Sequence, residues 1–149
     1  MKLPLVTFSV DIDAPREAVF DYFAEPRHRA DWQSSLKRVE MVDEGEPRVG
    51  IRWKDHTKVG VVADLHTTVQ ERPERWAETG SWRGVRADLS MMFESLANGG
   101  TRAHVQAQLF GQGAYAVFAL AAWPAMPLAL RMDVKHAGRI VAEQHGRAA

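Results

Sequence analysis

Three polar side chains fall where chemistry could occur. Asp55, Thr67 and Glu78 lie on the apolar side of alternating segments whose other polar residues mostly lie opposite. A carboxyl or hydroxyl group in an apolar enclosure can orient a carbonyl compound, donate a hydrogen bond to its oxygen and move a proton. These three are the candidate catalytic residues, and Tyr115 is a remote fourth. The favoured reading assigns no catalytic residue at all, because the same enclosure can simply bind. Its wall would be Trp53, Leu65, Thr67, Trp82, Leu89, Met91, Phe93, Val105, Trp123, Met126, Leu130 and Val134. Five tryptophans are many for this length. Core packing accounts for any one of them, but an aromatic wall with deformable methionines also suits a ring-shaped or polyene ligand.

Other chemistries are poorly supported. The six histidines, at 28, 56, 66, 104, 136 and 145, show no metal-ligand spacing, so no metal is expected. His66 and His104 fall opposite their apolar neighbours and read as surface residues. No Ser/His/Asp arrangement is suggested by position. Gly111-Gln112-Gly113 is a bare Gly-x-Gly that releases a strand into a helix rather than cradling phosphate. There is no cysteine, which removes thiolate chemistry and disulfides. Nineteen basic residues balance nineteen acidic ones, against a nucleic-acid partner. No cofactor is implied. With no signal peptide in view, the expected location is the cytoplasm. Arginine outnumbers lysine 14 to 5, pointing to a GC-rich bacterial genome.

The elements that must position these residues follow from periodicity. Leu5 to Ile12 alternates and reads as a strand. Ala14-Pro15 then opens a helix, with Pro15 at its first position, Asp13 or Ala14 at the cap, and Val19, Phe20 and Phe23 on one face. Glu25-Pro26 ends it and starts a short second helix through Trp32. From Leu36 the period becomes two, with strands near 36–43, 49–55, 58–71, 75–82, 85–95 and 101–110. The turns between them are short, so consecutive strands should pair as antiparallel hairpins. The inward face carries Leu65, Thr67 and Val69, and the outward face His66, Thr68 and Gln70, unless a one-residue bulge reverses them.

One long helix, from about Tyr115 to Glu143, closes the chain. Ala119, Trp123, Met126, Leu130, Val134, Ala137 and Val141 form its apolar stripe. Gly113 to Leu130 carries no charge over eighteen residues. Pro124 and Pro127 argue against a transmembrane span, and the expectation is a buried helix start. A kinked apolar gate that touches a membrane or a second subunit is the alternative. Residues 146–149 read as a frayed tail. The whole chain, 1–149, reads as one domain.

The Val-x-Ile-x-Ala-Pro-x-x-x-Val-Phe run ending at Phe20, Trp32 about twelve residues later, the Val49-Gly50 lead-in to a strand and the long final helix resemble the START / polyketide cyclase-like superfamily, also called SRPBCC or Bet v 1-like. The resemblance covers about Val6 to Glu143, and the order of its parts is more specific than any single motif. It implies an α+β helix-grip fold: a seven-stranded antiparallel sheet wrapped around the C-terminal helix, with two short helices after the first strand. It also implies a tunnel for an apolar ligand between helix and sheet. It implies no particular reaction, since such folds host carriers, receptors and cyclases alike.

Three functions stay open. The first is binding or carriage of a hydrophobic small molecule such as a lipid, polyketide or terpenoid. The second is a polyketide cyclase/dehydratase-type reaction using Thr67, Asp55 and Glu78. The third is docking on a membrane or partner protein, including a second copy, through Gly113–Leu130. Burying about 400 Å² of apolar ligand surface yields roughly 10 kcal/mol gross. Association costs of about 4 kcal/mol or more leave roughly micromolar affinity, so binding needs no catalytic group.

Overall fold

The computed structural model describes residues 1–148. Its strands are β1 (Val6–Ile12), β2 (Leu36–Met41), β3 (Arg52–Thr57), β4 (Val62–Glu71), β5 (Arg75–Trp82), β6 (Val85–Ser95) and β7 (Thr101–Gly111). They form one antiparallel sheet in the order β1-β7-β6-β5-β4-β3-β2. Every consecutive pair from β2 to β7 is a hairpin, as the short turns require. β1 pairs with β7, with Phe8 opposite Val105. Strands β1 and β2, neighbours in sequence, therefore sit at opposite edges. Helices α1 (Arg16–Ala24) and α2 (Arg29–Trp32), joined by a 3-10 turn over Pro26–His28, carry the chain between them. Helix α1 begins one residue later than expected: Pro15 is its extended N-cap, and no side chain caps it.

The closing helix is interrupted. A 3-10 turn (Gly113–Tyr115) leads into α3 (Ala116–Ala122), a second 3-10 turn (Trp123–Ala125) follows, and α4 runs from Met126 to Ala148. The interruption falls at Pro124, which lacks the N–H that a continuous α-helix would use. Helix α4 buries Val134, Ala137 and Val141 against the sheet. Gly138 lets it approach β1 closely, since a Cβ there would lie 2.9 Å from Ile12 Cγ1. Residues 146–148, expected to be frayed, continue this helix, and residue 149 lies outside the described residues.

The concave face of the sheet is filled unevenly. At the α1 end, Phe20, Phe23, Trp32, Trp76, Met91 and Phe93 form the dense core. Phe23 stacks on Phe93 at 6.0 Å and meets Trp32 edge-on at 5.2 Å. At the other end the palm-facing positions are small: Ala63, Gly80, Ala87 and Ala107. Small side chains on the sheet, opposite Met126 and Leu130 on the helix, cannot close the gap between the layers.

The structure departs from the sequence pattern in two places. The register of β4 against β5 shifts between Thr67 and Val69, so Thr68 is an extra residue. Beyond it Val69 pairs with Ala77 and Gln70 with Trp76, which places Gln70 rather than Val69 on the inner side. The second concerns Gly113–Leu130, expected to be buried. Only Ala119 is fully buried there, and Val117, Phe118, Leu120 and Leu128 are exposed. The sheet supplies no second layer over that face of the helix.

Candidate functional site

A cavity of about 350 Å³ occupies the sparsely filled end of the palm. Its apolar wall is built from Leu65, Trp82, Val85, Leu89, Met126 and Leu130, together with the small residues above. Gln33, Ser35, Thr57, Ser81 and Gln108 add polar groups, and Asp88 borders the cavity from β6. At one end of the cavity stand three charged residues, Arg29, Asp55 and Glu78.

Each member of this cluster comes from a different element, and each is placed by local structure. Asp55 follows the buried Trp53 at two-residue spacing on β3, and Ile51 just before the strand keeps the same side, so all three point inward. Glu78 lies between the buried Trp76 and Gly80 on β5. Arg29 opens α2, where the 3-10 turn after Pro26 aims it under the helix and into the palm. It is only 2% exposed. Its Nη2 and Nε donate to the Asp55 carboxylate at 2.8 and 3.2 Å, and its Nη1 donates to Glu78 Oε2 at 2.5 Å. Trp53 Nε1 donates to Asp55 Oδ1 at 3.1 Å, and the guanidinium lies 5.2 Å from the centre of the Trp53 ring. One cation thus bridges two buried carboxyl groups.

The electrostatics follow from that stoichiometry. Burial disfavours the Arg29 charge, yet the Glu78 and Asp55 carboxylates outweigh it and raise its pKa. Glu78 moves in the unusual direction for a carboxyl group. Burial pushes it up from 4.5 to about 7, the Asp55 charge adds to that, and Arg29 only partly offsets both. Glu78 thus holds its proton to a higher pH than a free carboxyl group, and it lines the cavity.

This shift links pH to stability. The folded protein holds the Glu78 proton up to about pH 7, whereas the unfolded chain releases it near 4.5. Between those values the native state binds more protons, so stability falls as pH rises through the window and levels off above it. The expected loss is of order 3 kcal/mol. Urea unfolding at several pH values should show that slope in the wild type and lose most of it in Glu78→Gln. Equal slopes would refute the assignment.

The structure divides the sequence-derived residues. Leu65, Trp82, Leu89, Met126 and Leu130 line the cavity, as do Asp55 and Glu78. Met91, Phe93, Val105 and Val134 sit in the solid core beside it. Trp53 packs with Ile51 and Leu65 behind the cluster. Thr67, opposite Glu78 in the register, is buried with its hydroxyl unpartnered but does not reach the cavity wall. Trp123 is half-buried at the far edge, where its Nε1 donates to the Pro4 carbonyl. Tyr115 stands outside, accepting from Arg83 at 3.2 Å. Arg29 was missed entirely. The signal for it was indirect: two inward carboxyl groups require a buried cation, but nothing local marked Arg29 among fourteen arginines.

Residues 4–142 match the profile of the family described as polyketide cyclase / dehydrase and lipid transport. The chain belongs to that family. Among solved structures, an aromatase/cyclase from a Streptomyces species superposes with a TM-score of 0.76 at 14% identity, covering 95% of this chain and 94% of that one. A hypothetical protein from Helicobacter pylori gives 0.75 at 15% identity, over 93% and 88% of the two chains. A norcoclaurine synthase point mutant from Thalictrum, solved with a transition-state analogue, gives 0.71 at 11% identity, over 97% and 96%. At such identities these structures establish the shared helix-grip fold alone. No curated protein matches the sequence. In this member of the polyketide cyclase / dehydrase and lipid transport family, the palm cavity is largely apolar and carries the Arg29–Asp55–Glu78 cluster in its wall.

Proposed function

We propose that this protein binds a compact, mostly apolar molecule carrying a carbonyl or hydroxyl group, with that group directed at Glu78 and Arg29. The observation that supports this reading is the position of the Arg29–Asp55–Glu78 cluster at one end of the cavity, the remaining wall being largely hydrophobic. A volume near 350 Å³ lies at the small end of ligand pockets and suits a few fused rings or one medium-length chain better than a two-chain lipid. Binding would draw on apolar burial, and the polar end would set orientation.

One observation favours a second reading, an enzyme of the cyclase/dehydratase type. Glu78 faces the cavity with its pKa raised to about 7, the range in which a carboxyl group can donate a proton to a ketone oxygen and take one back. Asp55 would then hold Arg29 in place.

Native mass spectrometry on detergent-free protein, with the organic extract analysed in parallel, tests the binding reading. A discrete added mass that reappears in the extract is expected. Titration with anthraquinone, followed by Trp82-dependent fluorescence, supplies a defined probe. Failure of both to show an occupant would overturn the reading.

A further inference from the structure

The outer face of the closing helix is apolar and uncovered. Val117, Phe118, Leu120, Leu128 and Met132 are each between 52% and 66% exposed. The segment Gly113–Leu130 contains no charge, and the first acid after it, Asp133, accepts from the Ser34 backbone N–H. Soluble monomers rarely show solvent so many large apolar side chains in one patch. By length and composition the helix from Gly113 to Arg147 could cross a bilayer. Its inner side prevents that: Ala119 packs on Gly111, and Val134, Ala137 and Val141 belong to the core, so the helix cannot leave the sheet without opening it. The exposed face can only lie on a surface.

The charges bordering this patch indicate which surface. At one end Arg83, at the tip of the β5–β6 hairpin, lies 5.3 Å from the Trp82 ring and 5.8 Å from the Tyr115 ring. Phe118 meets Trp82 edge-on at 5.5 Å, so cation and aromatics form one continuous border. At the other end Arg131, Lys135 and Arg139 follow one another at four-residue spacing beside Leu128 and Met132, on the side of the helix that borders a cleft against β1; Asp11 and Asp13 line the same cleft, and the Arg131 guanidinium lies 5.9 Å from the centre of the Phe8 ring. Among the described residues none of these four cations forms an ion pair with a carboxylate. Apolar side chains bordered by aromatics and unpaired cations match the boundary between acyl chains and anionic headgroups. A two-fold dimer through the same patch would bring these cations toward one another.

We propose that this face docks on an anionic lipid bilayer, with Phe118, Leu120 and Leu128 in the acyl boundary and Arg83, Arg131 and Lys135 on headgroup phosphates. Trp82, which meets Phe118 of this patch, also lines the palm cavity, so docking sets that end of the cavity beside the membrane. The docking itself requires nothing in the cavity.

Flotation of the full chain with phosphatidylcholine vesicles, with and without phosphatidylglycerol, is the test. Binding is expected with the mixed vesicles, weaker with the neutral ones, and reduced by salt. Arg131→Gln with Lys135→Gln should lower partitioning about 30-fold, each surface cation contributing roughly a factor of five. Leu120→Asp with Leu128→Asp should abolish it while the circular dichroism melt is unchanged, since both side chains are exposed. No flotation with mixed vesicles, or equal binding to neutral ones, would overturn the proposal. So would a concentration-dependent dimer in sedimentation velocity that Leu128→Asp dissolves.

Discussion

Replacing Arg29 by alanine is expected to destabilise the protein by about 3–5 kcal/mol, because it leaves two carboxyl groups buried without their cation. For a chain of this size that corresponds to a fall of about 10 °C or more in Tm. The loss should be larger at alkaline pH than at mildly acidic pH, because protonation of Glu78 removes one of the stranded charges. Simple loss of packing from a long side chain would not depend on pH in this way. Neutralising the whole cluster, as Arg29→Met with Asp55→Asn and Glu78→Gln, should recover most of the stability, since a buried ion network is often replaceable by uncharged groups of similar volume. Denaturant unfolding of the three proteins decides the matter. A single-variant cost under about 1 kcal/mol would mean that water reaches the cluster and the cavity end is wet.

The second large effect concerns the cavity. Ala87 faces the palm, paired with Gly80 on one side and Leu109 on the other, and its methyl group borders empty space. Ala87→Trp should fill that space in place of a ligand. Affinity for an apolar probe such as anthraquinone is expected to fall by about 100-fold or more, as most of the roughly 10 kcal/mol of gross burial is lost. Tm should hold or rise, because the new ring displaces no existing side chain. Calorimetric titration beside a thermal melt separates the outcomes. Unchanged affinity in a folded variant would place binding elsewhere. Lost affinity with a collapsed melt would be uninformative for Ala87 alone, and Leu89→Ala, which enlarges the cavity, would then decide by altering affinity only if the ligand sits in the palm.

The architecture could be read along the chain because it rests on local periodicity. Two-residue alternation from Leu36 to Phe110 specified six strands, short turns specified their hairpins, and the Ala14-Pro15 and Gly111-Gln112-Gly113 junctions marked where the period changes. The inward placement of Asp55 and Glu78 followed from the same alternation and holds in the structure. Alternation failed beyond Thr67, where one extra residue reverses the faces, and neither residue type nor spacing announces a bulge.

The site itself was only half legible. Arg29 is an arginine in a polar stretch of sequence, and what makes it buried is the turn at Pro26 together with two strands that lie far from it along the chain. The apolar stretch at Gly113–Leu130 failed for the converse reason. Composition predicts burial, but burial requires a partner surface, and the sheet curves around only the later part of the helix. The order of elements, the hairpin pairing and the identity of the inward carboxyl groups are consequences of short-range pattern along the chain. Which cation meets those carboxyl groups, which half of the palm stays empty and which apolar face is left to the solvent are not. Those depend on where residues distant in the chain come to rest against one another.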